Sequence, residues 1–581
     1  MLKILVPFIF IFAAVVSSAQ NDRQAYVVYM GAVPKEQTHQ LLADHHHTLL
    51  ANAVGDEELA RKVKIYSYGR SLNGFAARLL PHEANKLAKE KGVVSVFASR
   101  RRKLHTTRSW DFLGVSETAS RRNAAAESGI IVGLLDSGIW MEAPSFKDDG
   151  YGSIPSKWKG QCVTGPNFTS CNRKVIGAKF FNLDGLGDSD NKKMGITIDT
   201  FSPKKKMYPL ISGTMAATPD TDLDASECDY GSLDREKVKG KIVYCLGPYS
   251  QESTIEDLEG AGMIGNLLGT TDVAMATPIP SSYLSMEDGG KVETYMNSTK
   301  NPQAVIYKTT TYKMDAPFLA SFSSRGPQTL APNILKPDVT APGLNILAAF
   351  SKMASIPDNR HSVFNILSGT SMSCPHAAAA AAYLKTFHPK WSPAALKSAL
   401  MTTATPVKTG DEFDELGIGA GQINPAKAIH PGLIYDISVT NYVSFLCSTR
   451  RYDGTALALL VGDASFNCSG VPPATGSDAL NYPTMYAPLD ADATSVAAVF
   501  HRTVTHVGFG PSTYRAKVKS PAGVAVRVVP EVLKFDRPYE KRSFKVAVRG
   551  PVAAESRLLA ASLEWNDSKH NVRTQIVMFK I

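Results

Sequence analysis

Apolar and polar positions follow different rhythms in successive stretches of this 581-residue chain. Between residues 25 and 98 the rhythm switches several times. Tyr26-Val27-Val28-Tyr29-Met30 is an aromatic and β-branched run of the kind that builds a strand. A polar, helix-length segment over 35–54 follows. Two further strands are predicted over 64–68 and 74–79, then a helix over 83–91 and a closing strand over 93–97. The resulting βαββαβ order is a compact split βαβ unit.

Past residue 105 the pattern changes. Gly129-Ile130-Ile131-Val132-Gly133-Leu134-Leu135-Asp136 is an unbroken apolar run ending in an acid, the pattern of a strand buried on both faces of a parallel sheet. Ligands gather at the carboxyl ends of such strands. A second buried strand is predicted over 238–245, before the glycine-rich turn Gly260-Ala261-Gly262-Met263-Ile264-Gly265. This region, 212–312, reads as a separate inserted domain. Helical composition returns over 371–387 and 393–402. Beyond residue 480 the alternation is strand-like throughout, as in Tyr514/Ala516/Val518 and Phe544/Val546/Val548, predicting a β-sandwich of about 100 residues.

The first residues predict a protein outside the cytosol. Lys3 precedes an apolar run over 4–16 that ends in Ser17-Ser18-Ala19, the layout of a secretory signal peptide over 1–19. No later stretch reaches the roughly 18 unbroken apolar residues of a membrane span. Seven cysteines suit an oxidising compartment. Closeness along the chain pairs Cys162 with Cys171, Cys228 with Cys245 and Cys447 with Cys468, leaving Cys374 free as a small core residue. Asn-x-Ser/Thr glycosylation sequons stand at Asn167, Asn297, Asn467 and Asn566. The net charge of +10 is modest, its basic residues scattered apart from Arg100-Arg101-Arg102-Lys103. That run reads as a processing site or exposed turn, and no nucleic-acid fold accompanies it. His45-His46-His47 reads as a solvated helix face. Asp148-Asp149 and Asp188/Asp190 lack the spacing of a calcium loop, so neither metal nor other cofactor is assigned.

The chemistry concentrates in Ser368-Gly369-Thr370-Ser371-Met372-Ser373-Cys374-Pro375-His376. A Gly-Thr-Ser turn feeding a helix of small residues sets Ser371 at a helix N-terminus, where its backbone N–H and the helix dipole can stabilise an oxyanion. Alone, such a turn is a helix cap. Two companions change its meaning: Leu135-Asp136-Ser137-Gly138-Ile139, and Ser321-Phe322-Ser323-Ser324-Arg325-Gly326-Pro327 with Lys336-Pro337-Asp338-Val339-Thr340-Ala341-Pro342-Gly343.

In this order the three segments resemble the subtilases, the subtilisin-like serine proteases, and their details resemble the plant cucumisin-like branch. Thr106-Thr107-Arg108-Ser109-Trp110-Asp111-Phe112-Leu113-Gly114 and Phe364-Asn365-Ile366-Leu367-Ser368-Gly369 fit as well. The resemblance implies an α/β fold, with a doubly wound parallel sheet split between 106–211 and 313–450. It implies an inhibitory, ferredoxin-like propeptide over 20–105, with maturation between His105 and Thr106. It further implies a protease-associated domain over 212–312 and a fibronectin-III-like domain over 480–581. Asp136 matches the acid that orients the catalytic base, and Ser371 the nucleophile that attacks the scissile carbonyl. Partners would be polypeptide substrates or the chain's own propeptide, with no nucleic acid and no membrane span.

The chain then departs from that pattern. Members place a Gly-His-Gly-Thr-His segment between acid and serine, and no histidine occurs here between Thr106 and Arg360. His361, in a predicted loop, and His376, beyond Ser371 on its helix, are the nearest substitutes. The family's oxyanion asparagine turn is also missing, Asn266 reading as a structural strand residue. Lys179-Phe180-Phe181-Asn182-Leu183-Asp184 matches the stretch before the histidine segment and Gly195-Ile196-Thr197-Ile198-Asp199 the stretch after the asparagine. Everything between has collapsed to 185–194, as in a truncated form of an intact protease. The expectation is a family member inactive or strongly impaired as it stands, its remaining strands unpaired and its apolar faces uncovered. The alternative is a non-catalytic protein whose propeptide-like module inhibits or chaperones intact subtilases.

Overall fold

The computed structural model describes residues 23–30, 39–69, 73–98, 109–115, 124–127, 129–134, 139–164, 168–178, 203, 206–219, 222–247, 251–266, 277–308, 316–328, 331–351, 363–410, 412–449, 457, 461 and 466–581. They fall into two compact units, Met1–His105 and Thr106–Ile581.

In the first unit, strands β1 (Gln24–Tyr29), β2 (Lys64–Tyr68), β3 (Gly74–Leu79) and β4 (Ser95–Ala98) form an antiparallel sheet in the order β2-β3-β1-β4. Helices α1 (His39–Val54) and α3 (Pro81–Leu87) are those predicted from the polar segments. A third, α2 (Glu57–Val63), is absent from the sequence reading. It starts at Asp56, whose carboxylate accepts from Leu59 N at 2.6 Å. Val28, Leu50, Phe75, Leu79 and Leu87 are fully buried in one core. The guanidinium of Arg23 donates to both carboxylate oxygens of Glu83, closing the sheet onto α3. The solvated histidine face needs correction: His46 is fully buried, its ring against Phe75 and its Nε2 2.7 Å from Asn73 Oδ1.

In the second unit, strands β5 (Tyr208–Ser212), β6 (Ile242–Leu246), β7 (Gly262–Asn266), β8 (Ser281–Leu284) and β9 (Gln303–Ala304) form a sheet ordered β8-β7-β6-β5-β9. Its pairs are parallel except β5 with β9. Ile242, Val243, Tyr244 and Cys245 are buried in succession, as a centre strand covered on both faces requires. Helix α4 (Met286–Ser298) begins where Ser285 Oγ accepts from Asp288 N. Asn266 donates through Nδ2 to Tyr244 Oη at 2.9 Å, which in turn donates to Gly289 O, so its role is structural. The Cys228–Cys245 bond lies here, and Cys162–Cys171 and Cys447–Cys468 also form as read from the sequence.

The doubly wound parallel sheet does not assemble among the described residues. Residues 129–134 pair with no strand, and Val132 and Leu134 are 63% and 68% exposed. A run so apolar forms a strand only when neighbours complete its hydrogen-bond ladder. What remains there is the antiparallel pair β10 (Ile346–Ala349) and β11 (Phe364–Leu367), with helices α5 (Thr370–Phe387) and α6 (Pro393–Thr402). The helices pack through Leu384, Ala395, Ala399 and Leu400 against Ile423 and Ile434.

The C-terminal sandwich forms as predicted. One sheet orders β12 (Leu433–Ile434), β14 (Ser495–His506), β18 (Lys541–Pro551) and β16 (Ala525–Val529). The other orders β13 (Met485–Leu489), β20 (Asn571–Lys580), β19 (Leu558–Asn566), β15 (Ser512–Lys519) and β17 (Val532–Phe535). Phe500, Tyr514, Phe544, Val546, Trp565 and Ile576 fill the space between, Phe544 and Trp565 meeting edge to face. Because β12 pairs with Thr505 and His506, a segment assigned to the preceding domain completes this sheet.

Candidate active site

Ser371 stands in the first turn of α5, with β11 leading directly into it. The turn is pinned from below. Gly369 N donates to Gly343 O at 2.8 Å, Ser373 Oγ to Ala341 O at 3.0 Å, and Asn345 N to Ser368 Oγ at 2.8 Å. A Cβ on Gly343 would lie 2.8 Å from Gly369 O, so glycine is what lets this loop approach the helix start. The segment ending in Thr340-Ala341-Pro342-Gly343 therefore serves as the bed of the serine turn.

Ser371 itself is exposed, and its hydroxyl makes no hydrogen bond among the described residues. Met372 N and Ser373 N donate back to Gly369 O, so the Ser371 N–H points out at the helix end, available to an anion. Pro375, four residues on, has no N–H to offer the Ser371 carbonyl.

Among the described residues no general base accompanies the hydroxyl. His376 Nδ1 lies 2.7 Å from Met372 O, and a carbonyl only accepts, so that nitrogen carries the ring proton. Its Nε2, 2.7 Å from Ser109 Oγ, then accepts from that hydroxyl. Both nitrogens are engaged away from Ser371, and His376 instead ties helix Ser109–Phe112 to α5. Asp136, His361, His105, Thr106, Asn167 and the collapsed stretch 185–194 lie outside the described residues. Asn297, Asn467 and Asn566 are all exposed. In the last two the Asn Oδ1 accepts from the backbone N–H of the sequon's own serine.

The stripe of α5 that carries Ser371 is uncovered. Thr370, Ser371, Cys374, Pro375, Ala378 and Ala379 recur at helical spacing and are all exposed. Cys374, read as a buried core residue, is thus a free exposed thiol. The helix has the small-residue composition of a buried element, yet this side of it stays exposed.

Asp338, read only as part of a motif, belongs to a half-buried cluster. Lys336 Nζ donates to its Oδ2 at 2.6 Å, Lys397 Nζ lies 3.3 Å away, and Tyr482 Oη donates to Oδ1. Burial raises the Asp338 carboxyl, but the two ammonium groups and these hydrogen bonds outweigh it and hold it below the usual range. Burial also lowers Lys336 and, with Asp338 beside it, pushes the Tyr482 hydroxyl far up. Asp148 Oδ2 accepts from Arg173 N and Nε, a link across an exposed loop.

Sequence profiles match three parts of the chain: a peptidase inhibitor I9 over 25–105, the Subtilase family over 269–421 and a fibronectin type-III domain over 479–578. Subtilisin-like protease SBT4.15 of Arabidopsis thaliana is 42% identical over 743 aligned positions, covering 98% of this chain and 97% of that protein. Subtilisin-like protease SBT4.14 of the same plant is 36% identical over 725 positions, covering 97% of this chain and 96% of that protein. Since 743 aligned positions face 581 residues, at least 162 positions of the first alignment have no residue here. Among solved structures, a FixG-related protein from Vibrio parahaemolyticus covers 15% of this chain and 80% of its own at 13% identity, with a TM-score of 0.13, too distant to inform the fold.

Proposed function

The chain belongs to the subtilase family of serine proteases, and from that premise we propose that it is a secreted member whose catalytic machinery is incomplete. Asp136 and Ser371 hold the positions of the family's acid and nucleophile, but the family's histidine segment is absent and His361 is the single histidine between them. The observation that carries this reading is the engagement of His376 by Met372 and Ser109, which leaves the Ser371 hydroxyl without a base among the described residues. Loss of the base in a serine triad costs about 10⁶-fold in turnover. Loss of an oxyanion donor costs a further 10²–10³-fold or so in an otherwise intact site. Peptide-bond hydrolysis by this chain is accordingly negligible beside that of its full-length relatives.

A second reading rests on the first unit. The I9-type module has its own four-stranded sheet and closed core. A module of this kind binds a mature protease as its propeptide does, so this chain would inhibit or chaperone intact subtilases in trans. The region over 212–312 acts as a protease-associated insert, and Asn167, Asn297, Asn467 and Asn566 carry glycans. Maturation falls between His105 and Thr106.

The deciding experiment labels the secreted full-length chain with a fluorophosphonate probe, beside Ser371→Ala and an intact relative. Absence of Ser371-dependent labelling on soluble protein is the expected result. Labelling that disappears in Ser371→Ala would overturn the missing-base argument. Inhibition of the intact relative by the unlabelled chain would select the second reading.

A further inference from the structure

Residues 479–578 hold 14 Lys and Arg against 8 Asp and Glu, so six of the chain's ten net positive charges fall in this one sandwich. Charges that look scattered in sequence are gathered by the fold. In β18 the alternation sends Phe544, Val546 and Val548 into the core and Lys541, Lys545 and Arg549 to solvent. In the neighbouring β16, exposed Arg527 stands opposite Ala547. In β14, on the other side, His501 stands opposite Lys545 and Ala497 opposite Arg549.

Strand spacing then sets the array. Lys545 and Arg549 are separated by roughly 13 Å along β18, and Arg527 sits roughly 8 Å from each on the next strand. These separations are near the screening length at physiological ionic strength, so the fields of the three cations add. No Asp or Glu occurs anywhere in β14, β16 or β18. Lys541, Lys545, Arg549 and Arg527 form no ion pair among the described residues, while the nearby Glu540 is turned to Arg537 and Arg542. Between the cations lie Ala497, Val499, Ala525, Ala547 and Val529. No Phe, Tyr or Trp stands on the outward positions of β14, β16 or β18, so the face offers no aromatic platform on which a base or sugar ring could stack. It matches only a ligand that repeats its charge along a line.

We propose that this sheet face binds an acidic polysaccharide, a polymer carrying carboxylate or sulfate groups at regular intervals, laid along β18. The setting rests on the extracellular reading above; the binding does not depend on catalysis. The full-length chain is passed over immobilised polygalacturonate, dextran sulfate and neutral dextran, and its affinity measured at physiological salt. Retention on one or both charged polymers and none on neutral dextran is expected, and the two arms tell carboxylate from sulfate recognition.

The triple variant Arg527→Glu/Lys545→Glu/Arg549→Glu should bind at least about tenfold more weakly, several exposed charge contacts being lost together. Its Gln counterpart should fall between. A control with the same change in net charge, Arg515→Glu/Lys517→Glu/Lys519→Glu on the outward side of β15, should bind within about twofold of the parent, beyond general screening. All substituted side chains point to solvent, and cooperative thermal unfolding verifies each fold. Equal losses in both triple variants would overturn the proposal in favour of net charge alone. So would competition by poly-glutamate as effective as that by free polygalacturonate, which would make the face a site for acidic polypeptide.

Discussion

Arg502 forks onto the carboxylate of Asp478 with both side chains almost wholly removed from solvent. Arg502 also donates to the carbonyls of His501, Tyr482 and Thr484, so its donors are satisfied inside the protein. The pair fastens the segment entering the sandwich onto β14. An isolated buried charge is costly, whereas a matched pair is nearly neutral beside an apolar replacement. Asp478→Asn or Arg502→Met alone should therefore destabilise the second unit by about 3–5 kcal/mol. The double variant Arg502→Met/Asp478→Leu should lose less than either, which urea titrations of the four chains would reveal.

The Asp338 cluster makes the same junction sensitive to acid. Asp338 is held below the usual carboxylate range in the folded chain. A depressed carboxylate contributes stability above its unfolded value, about 4, and that stability fades as pH falls through the lower folded value. Melting temperature should therefore drop on acidification below about pH 4 more steeply in the parent than in Asp338→Asn. Parallel acid limbs in the two chains would show that Asp338 is not the group responsible.

Cys374 gives a direct chemical reading of the uncovered stripe on α5. The other six cysteines are bonded, so one free thiol remains per chain. Native protein should titrate one thiol per chain with a water-soluble thiol reagent, without denaturant, and Cys374→Ala none. Protection of that thiol in the folded parent would mean something covers the stripe.

The two flanking modules were legible in the sequence because their information is local and periodic. Strand runs in 25–98 and alternation beyond 480 each carry their own burial pattern, and the disulfide partners lie 9, 17 and 21 residues apart. What the sequence hid depends on contacts between distant segments. Asp338 meets Tyr482 only after 144 residues, and His46 is buried because Phe75 packs on it from another element. The strand over 129–134 failed for a related reason. Its composition is that of a buried strand, but composition supplies no neighbours. Of the candidate site, the helix-end setting of Ser371 was readable; the engagement of His376 by Ser109, 267 residues away, was not.

These threads meet in one repair experiment. If one missing stretch between 185 and 194 underlies the exposed run at 129–134, the bare stripe of α5 and the idle Ser371 hydroxyl, restoring it should change all three; the first alignment leaves at least 162 positions without a residue here, wherever they fall. Replacing residues 185–194 with the matching segment of the 42%-identical relative should complete the sheet and supply base and oxyanion donor together. Three changes should appear at once: fluorophosphonate labelling that requires Ser371 and Asp136, protection of the Cys374 thiol, and slowed amide exchange over 129–134. Asp136→Asn in the repaired chain should lower turnover by about 10⁴-fold, since the acid fixes the tautomer of the base. Protection of Cys374 and slow exchange without labelling would mean that the sheet had been rebuilt but Asp136 and Ser371 are not the acid and nucleophile. Labelling without protection would mean that a competent site forms without the covering elements, and the link drawn between core and catalysis would fail.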